Sequence, residues 1–133
     1  GAEAYLGISV AGFPNFFMLY GPNTTVGSGS IIYMLECQQG YIRQMIEAQR
    51  EQGWAWADLK EQTQSTFVAE VQQRSAQSTF EGNCQSWYKT AAGRNTNNWI
   101  GSMTEFARRT AQADLALYTL QQDAPAALTK QAA

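Results

Sequence analysis

Histidine is absent from all 133 residues. Its absence removes the commonest general base, the commonest metal ligand and the usual triad partner of a nucleophile. Charge is scarce as well. Asp, Glu, Lys and Arg make up 15% of the chain, against roughly 25% in an average protein. The polar surface must therefore be built mainly from Gln, Asn, Ser and Thr. Net charge is −2, with no basic run, which argues against a nucleic-acid partner. No apolar stretch reaches the ~18 residues of a membrane span, so no membrane partner is expected. No basic segment followed by an apolar one opens the chain, so no signal peptide is read there and a cytoplasmic setting is expected. The glycine-rich dinucleotide fingerprint GxGxxG is missing throughout, so no complete dinucleotide-binding fold is expected within these residues. Only two cysteines occur, Cys37 and Cys84, without metal-type spacing. They read as reduced, buried thiols, with a disulfide as the alternative.

What is present suits one domain. Hydrophobic residues make up 44% and aromatic residues 12%, enough for a packed core. Strand-like apolar residues appear almost at once, in Ala4–Val10, so the chain reads as an edge cut from something larger. After Gly12 and Pro14 comes the continuous apolar run "FFMLY", Phe16 to Tyr20. Such a run predicts a short strand buried on both faces. Gly21-Pro22-Asn23 ends it. Helical spacing then begins near Ser30, with Ile31, Met34, Leu35, Tyr41, Ile42, Met45 and Ile46 recurring at threes and fours. Its first turns, "IIYML", are apolar all round and predict burial on several sides. Gly40 inside it could admit a neighbouring backbone or ligand, and Gly53 is a C-terminal stop. Trp54 and Trp56 bracket a connection. Asp58 is the expected cap of a second helix running to about Ser78, whose thin stripe is Leu59, Phe67, Val68 and Val71. Residues 83–99 read as a loop or irregular hairpin around Ala92-Gly93. A third helix is expected from Ser102 to Leu117, with Met103, Phe106, Thr110, Ala113 and Leu117 on one side, and then a frayed tail from Gln121.

The start of the first long helix is the candidate site. A helix leaves its first amides unpartnered and carries partial positive charge there. Most helices offset this with an acid, yet none occurs between Gly12 and Glu36. Instead come Asn23, Thr24, Thr25, Gly27, Ser28, Gly29 and Ser30, small residues that let an anion or an electron-rich carbonyl approach the backbone. A simpler account is that Ser28 or Ser30 caps the helix and the glycines make a tight turn. Spacing alone favours that account.

At these residues the chain resembles a known family. "YLGISVAGFPNFFMLYGPNTTVGSGSIIYMLECQQGYI", Tyr5 to Ile42, is similar to the C-terminal FAD-contacting segment of flavin-dependent Baeyer–Villiger monooxygenases. The branch is that of 4-hydroxyacetophenone and cyclohexanone monooxygenases, and the markers are "GFPNFF", "GPN" and "LECQ". "CQSWYKTAAGRNTNNWIG", Cys84 to Gly101, resembles a second, later block. One departure is Ile100, where family members often carry proline. The resemblance covers most of residues 4–118.

The resemblance implies FAD and NADPH as cofactors and oxygen insertion into a small ketone, or oxidation of a sulfide, as the activity. It implies that Asn23, Thr24, Thr25 and the amides of Val26, Gly27, Ser28, Gly29 and Ser30 lie beside the pyrimidine end of the flavin. It also implies that Trp87 packs on the nicotinamide side and that Arg94 touches cofactor phosphate or ribose. For Trp87, Tyr88 and Trp99 a core role is the alternative; for Arg94 it is a solvated surface position. No catalytic or metal-binding residue of the chain is implied.

The expected fold is α+β and mostly helical: about three helices with short strands, completing an FAD-binding α/β domain of a larger flavoprotein. Residues 1–53 would supply that domain's last strand and helix, 54–120 an extension, and 121–133 a disordered tail. The partners would be the remaining FAD and NADP domains, and the fragment alone would be inactive. The competing reading is a non-catalytic helical interaction module. An unsupported "FFMLY" strand would favour self-association.

Overall fold

The structure, a computed structural model, describes residues 1–78 and 89–122. Three helices and a two-stranded antiparallel sheet make up its regular elements among those residues: α1 (Ile31–Gln52), β1 (Trp54–Leu59), α2 (Glu61–Ala76), α3 (Met103–Thr110) and β2 (Tyr118–Gln122). The mixed, mostly helical class is as expected.

Helix α1 begins and ends where local chemistry directs. The Ser30 hydroxyl accepts from the Tyr33 amide, and Gly53 adopts a left-handed φ of 72° while its N–H closes on the Gln49 carbonyl. Left-handed backbone is nearly free for glycine and costly for others. Met34, Gln38, Tyr41 and Met45 form the buried stripe, at the spacing of one helix face. Met34, Tyr41 and Met45 meet Leu6, Ile8, Trp54, Phe67, Val71, Trp99, Phe106 and Tyr118 in a single cluster. Within it Trp99 stacks on Phe67 and meets Phe106 edge-on. The hydroxyls of Ser9, Tyr118 and Tyr41 form a buried hydrogen-bonded chain, at 2.9 and 3.0 Å.

Five expectations are corrected. Neither Ala4–Val10 nor Phe16–Tyr20 is a strand. The first is a tight turn closed by Tyr5 and Ser9. The second is bracketed by left-handed Asn15 and Tyr20, at φ of 58° and 57°, which extended strands exclude. Phe16, Leu19 and Tyr20 are exposed. Secondly, Trp54 and Trp56 lie in β1 rather than in a connection. Its partner β2 is some sixty residues away, and Asn15 closes its other edge, pairing with Ala57 and donating to the Ala55 carbonyl. Thirdly, Asp58 does not cap α2. It accepts from the Gly12 amide at 2.9 Å, and α2 starts after Lys60 without a side-chain cap. Fourthly, the third helix stops at Thr110 rather than Leu117. Gln44 takes the Ala111 carbonyl and the Ala113 amide, both at 3.0 Å, and Asp114 starts a 3₁₀ turn, Leu115–Leu117, by accepting from Ala116. Finally, the first turn of α1 is not buried on several sides: Ile32 is 69% exposed. The space above Gly40 holds nothing within 4 Å. Cys37 is half-buried and free; Cys84 lies outside the described residues, as do 123–133.

An ionic ring fastens α2 to α3. Glu105 takes both guanidinium nitrogens of Arg74, at 2.6 and 2.9 Å, and Arg109 pairs with Glu70. Both arginines also sit over the Trp99 ring, at 5.7 and 5.6 Å. Hydrogen bonding from Arg109 and Arg74 holds the Glu70 and Glu105 carboxyls below their ordinary pKa. A carboxylate with a lowered folded pKa contributes stability that is complete above its unfolded pKa and is lost as pH falls through the folded value. Glu105→Gln is therefore expected to lower the melting temperature at neutral pH and to flatten its decline below about pH 4.5. Melting curves from pH 7 to pH 3 check this; an unchanged acid slope would remove Glu105 from the account.

Candidate functional site

The loop from Gly21 to Ser30 is bonded and largely buried at its Asn23–Thr25 end and exposed at its Gly27–Ser30 end. Asn23 takes a left-handed φ of 60° and is buried. Its amide donates to the Thr96 carbonyl at 3.1 Å, and its side-chain Nδ2 donates to the carbonyls of Asn95 and Asn98, at 3.0 and 3.3 Å. Thr24 is fully buried, its hydroxyl donating to the Gly21 carbonyl at 2.7 Å. The Thr25 amide donates to the Asn97 carbonyl, and the Trp99 amide returns to the Thr25 carbonyl. A short parallel bridge thus joins the two sequence blocks, residues 23–25 against 95–99.

Beyond Thr25 the character changes. Val26 is half-buried, whereas Gly27, Ser28, Gly29 and Ser30 are exposed. The first turn of α1 carries no acid. Among the described residues the amides of Ile31 and Ile32 have no hydrogen-bond partner. Ser30 does cap the helix, as the simpler account required, but its hydroxyl engages only Tyr33. Two unpartnered donors therefore stand at the positive end of a 22-residue helix, beside the exposed turn, where an anionic group would be stabilised.

The expected site residues thus fall into groups. Gly27, Ser28, Gly29 and Ser30 form the open turn. Asn23 and Thr24 direct their side chains into the protein, and Thr25 bonds Tyr20 at 3.1 Å. Arg94 pairs with Glu3 at 2.6 Å, which holds the Glu3 carboxyl below its ordinary pKa; a cofactor phosphate would have to compete with that carboxylate. Trp99 is a core aromatic. Trp87 and Tyr88 lie outside the described residues. Among the described residues there is no cluster of three His, Cys, Asp or Glu side chains able to hold a metal, and no helix long and apolar enough to cross a membrane.

Three polar residues were missed by sequence reasoning, although each sits in a quoted motif. Gln38 of "LECQ" is fully buried and donates to the carbonyls of Leu6 and Gly7 while accepting from the Tyr20 amide. Asn15 of "GFPNFF" closes the β1 edge. Asn95 ties its own loop, accepting from the Asn97 and Asn98 amides. For Gln38 the signal was present, since an amide side chain inside an apolar segment needs partners when buried; Asn15, which is exposed, and Asn95, in a polar run, carried none.

Relatives bear directly on this arrangement. The chain is 38% identical over 135 residues to a Baeyer–Villiger monooxygenase of Streptomyces coelicolor, an alignment covering all of this chain and 26% of the relative. It is 37% identical over 145 residues to the FAD-binding monooxygenase ktnD of Aspergillus niger, covering all of this chain and 23% of that protein. The chain belongs to the FAD-binding Baeyer–Villiger monooxygenase family. It spans about a quarter of the length of the curated relatives it matches. No protein-family model matches it. Solved structures share the fold of this Baeyer–Villiger monooxygenase segment. A steroid monooxygenase bound to NADP superposes with a TM-score of 0.74 at 24% identity, over 92% of this chain and 24% of that one. A cyclohexanone monooxygenase from Rhodococcus sp. Phi1 bound to NADP⁺ gives 0.76 at 17%, with the same coverages.

Proposed function

We propose that this chain is part of an FAD- and NADPH-dependent monooxygenase that inserts oxygen into ketones or oxidises sulfides, and that its role is to present the α1 N-terminus to the flavin. The observation that carries this reading is the pair of free amides at Ile31 and Ile32, opening an acid-free helix behind an exposed Gly-Ser turn. Those residues fit the group. Reduced flavin is anionic at its pyrimidine end, and fixed amides stabilise such charge without reorganising. When bound, FAD supplies the electron transfer and oxygen chemistry; this chain supplies orientation and charge.

The turn residues Val26 to Ser30 would border the ring, with Asn23, Thr24 and Thr25 fixing the turn from behind. Trp87 is assigned to the nicotinamide side, and Arg94 to the cofactor's phosphate or ribose once Glu3 yields. The remaining FAD and NADP domains of a longer, cytoplasmic chain are the expected partners. The exposed Phe13, Phe16, Leu19 and Ile46 supply apolar surface for them. These 133 residues by themselves are expected to catalyse nothing.

An acid placed in the empty first turn tests this. Ile32→Asp changes an exposed side chain and should stabilise α1 slightly, by about 0.3–1 kcal/mol. In the full-length protein the same carboxylate should oppose the reduced flavin and slow NADPH bleaching of the yellow colour about three- to tenfold. Unaltered bleaching, measured by stopped flow at 450 nm or so, would separate α1 from the flavin. A full-length protein that neither carries nor takes up FAD would favour the interaction-module reading instead.

A further inference from the structure

Between Thr25 and the Ser30 cap, one hydrogen bond among the described residues ties the open turn to another element. The Ser30 amide donates to the sulfur of Met103, the first residue of α3, at 3.3 Å. The same side chain covers Gly29. That glycine has a φ of +130°, and a Cβ there would overlap the Met103 sulfur and lie 3.0 Å from its Cε. A thioether is a soft, weak acceptor. Its pairing with this amide is set by where α3 stands, since the Ser30 amide precedes the helix and helical geometry assigns it no partner.

Met103 itself stands on a firm base. Ser102 caps α3 by accepting from the Glu105 amide at 3.1 Å, and its carbonyl receives the Trp99 indole N–H at 3.0 Å. Two residues on, Glu105 is locked by both nitrogens of Arg74. The opposite side of α1 is fixed by Gln38. The free amides of Ile31 and Ile32 therefore lie between two anchors, of which Met103 is the nearer.

We propose that Met103 is a positioning residue for this turn: its sulfur and its bulk over Gly29 set the aim of the Ile31 and Ile32 amides. The inference rests on the flavin reading above and goes beyond it, since it assigns Met103 a role through the turn and not through contact with the cofactor. A turn held loosely would leave the helix terminus misaimed, and a displacement of about 1 Å at a reacting centre can cost up to a hundredfold.

The test uses the full-length protein loaded with FAD and compares three variants. Met103→Leu keeps the bulk and removes the acceptor, Met103→Gln keeps length and restores an acceptor, and Met103→Ala removes both. The readout is hydrogen peroxide released per NADPH consumed in the presence of a ketone substrate, with melting temperature measured in parallel. Met103→Leu should raise that ratio about three- to tenfold at a nearly unchanged melting temperature. Met103→Gln should return it to within about twofold of wild type, and Met103→Ala should exceed Met103→Leu. A yellow wild-type protein whose Met103→Leu and Met103→Gln variants match it, with Met103→Ala losing only thermal stability, would overturn the inference and leave the flavin reading standing. A wild-type protein that cannot be loaded with FAD would overturn both.

Discussion

Replacing Gln38 by leucine is expected to lower the free energy of unfolding by about 3–5 kcal/mol, although leucine is similar in size and a comparable helix former. Gln38 is fully buried on α1 and joins three separate backbone groups: the Leu6 carbonyl at 3.0 Å, the Gly7 carbonyl at 3.2 Å and the Tyr20 amide at 2.9 Å. The Gly7 carbonyl keeps a second donor in Gly21. The Leu6 carbonyl, in a residue wholly removed from solvent, has no other donor among the described residues. Stripping the buried Leu6 carbonyl of its partner costs about 1–3 kcal/mol, and the bonds lost to the Gly7 carbonyl and the part-buried Tyr20 amide add about 0.5–1.5 kcal/mol each. Gln38→Glu separates hydrogen bonding from shape. Burial should raise its carboxyl pKa in the folded state, because the ionised form cannot donate to either carbonyl. Its stability should then be greatest below the unfolded carboxylate pKa and should decline as pH rises through the higher folded value. Denaturant unfolding at pH 4 and pH 8 reads both effects. A leucine variant within about 1 kcal/mol of wild type would show that the three bonds contribute little.

The same residue explains why part of the fold was legible in advance and part was not. The ends of α1 follow from Ser30 and Gly53, whose capping chemistry involves only neighbours within one turn. Of the expected stripe Leu59, Phe67, Val68 and Val71, the last three lie buried on α2 at the period read, whereas Leu59 ends β1. What failed was non-local. "FFMLY" has the composition of a buried strand, but Gln38 draws in the Tyr20 amide and Tyr20 turns left-handed there. Asp58 had the chemistry of a cap, but the Gly12 amide claims it from 46 residues away. β1 escaped notice because its partner lies beyond α2 and α3. In each case a tertiary hydrogen bond overrode a local preference. The acid-free terminus of α1 could be read because it is an absence within a single turn. The contact between Ser30 and Met103, 73 residues apart, had no local signature. The apolar first turn of α1 predicts burial, but nothing in a pattern says what covers it. Among the described residues Ile32 is 69% exposed.

Asn23→Ala should cost about 2–4 kcal/mol and, in the full-length protein, release flavin as well. Two terms add. Alanine at a φ of 60° bears the left-handed penalty of roughly 1–2 kcal/mol, which asparagine tolerates better. Loss of Nδ2 removes two buried hydrogen bonds, to Asn95 and Asn98. Their net worth is about 0.5–1.5 kcal/mol each. The penalty per bond stays near that range because both carbonyls retain a donor, Gln72 on Asn95 and the Asn95 side chain on Asn98. Asn23→Gly isolates the second term, since glycine adopts the same φ freely. The glycine variant should therefore be more stable than the alanine variant by about 1 kcal/mol. The functional consequence follows from position. Asn23 is the point where the loop is pinned to the 95–99 segment, two residues before the backbone pairing at Thr25 and shortly before the open turn. If the turn faces the flavin, loosening its root should lower bound FAD in the alanine and glycine variants alike, because both lose the pin while only one carries the strain. Equal unfolding free energies for the two variants would remove the backbone term. Flavin content unchanged in both would mean that the 95–99 segment supports the fold without holding the turn in place.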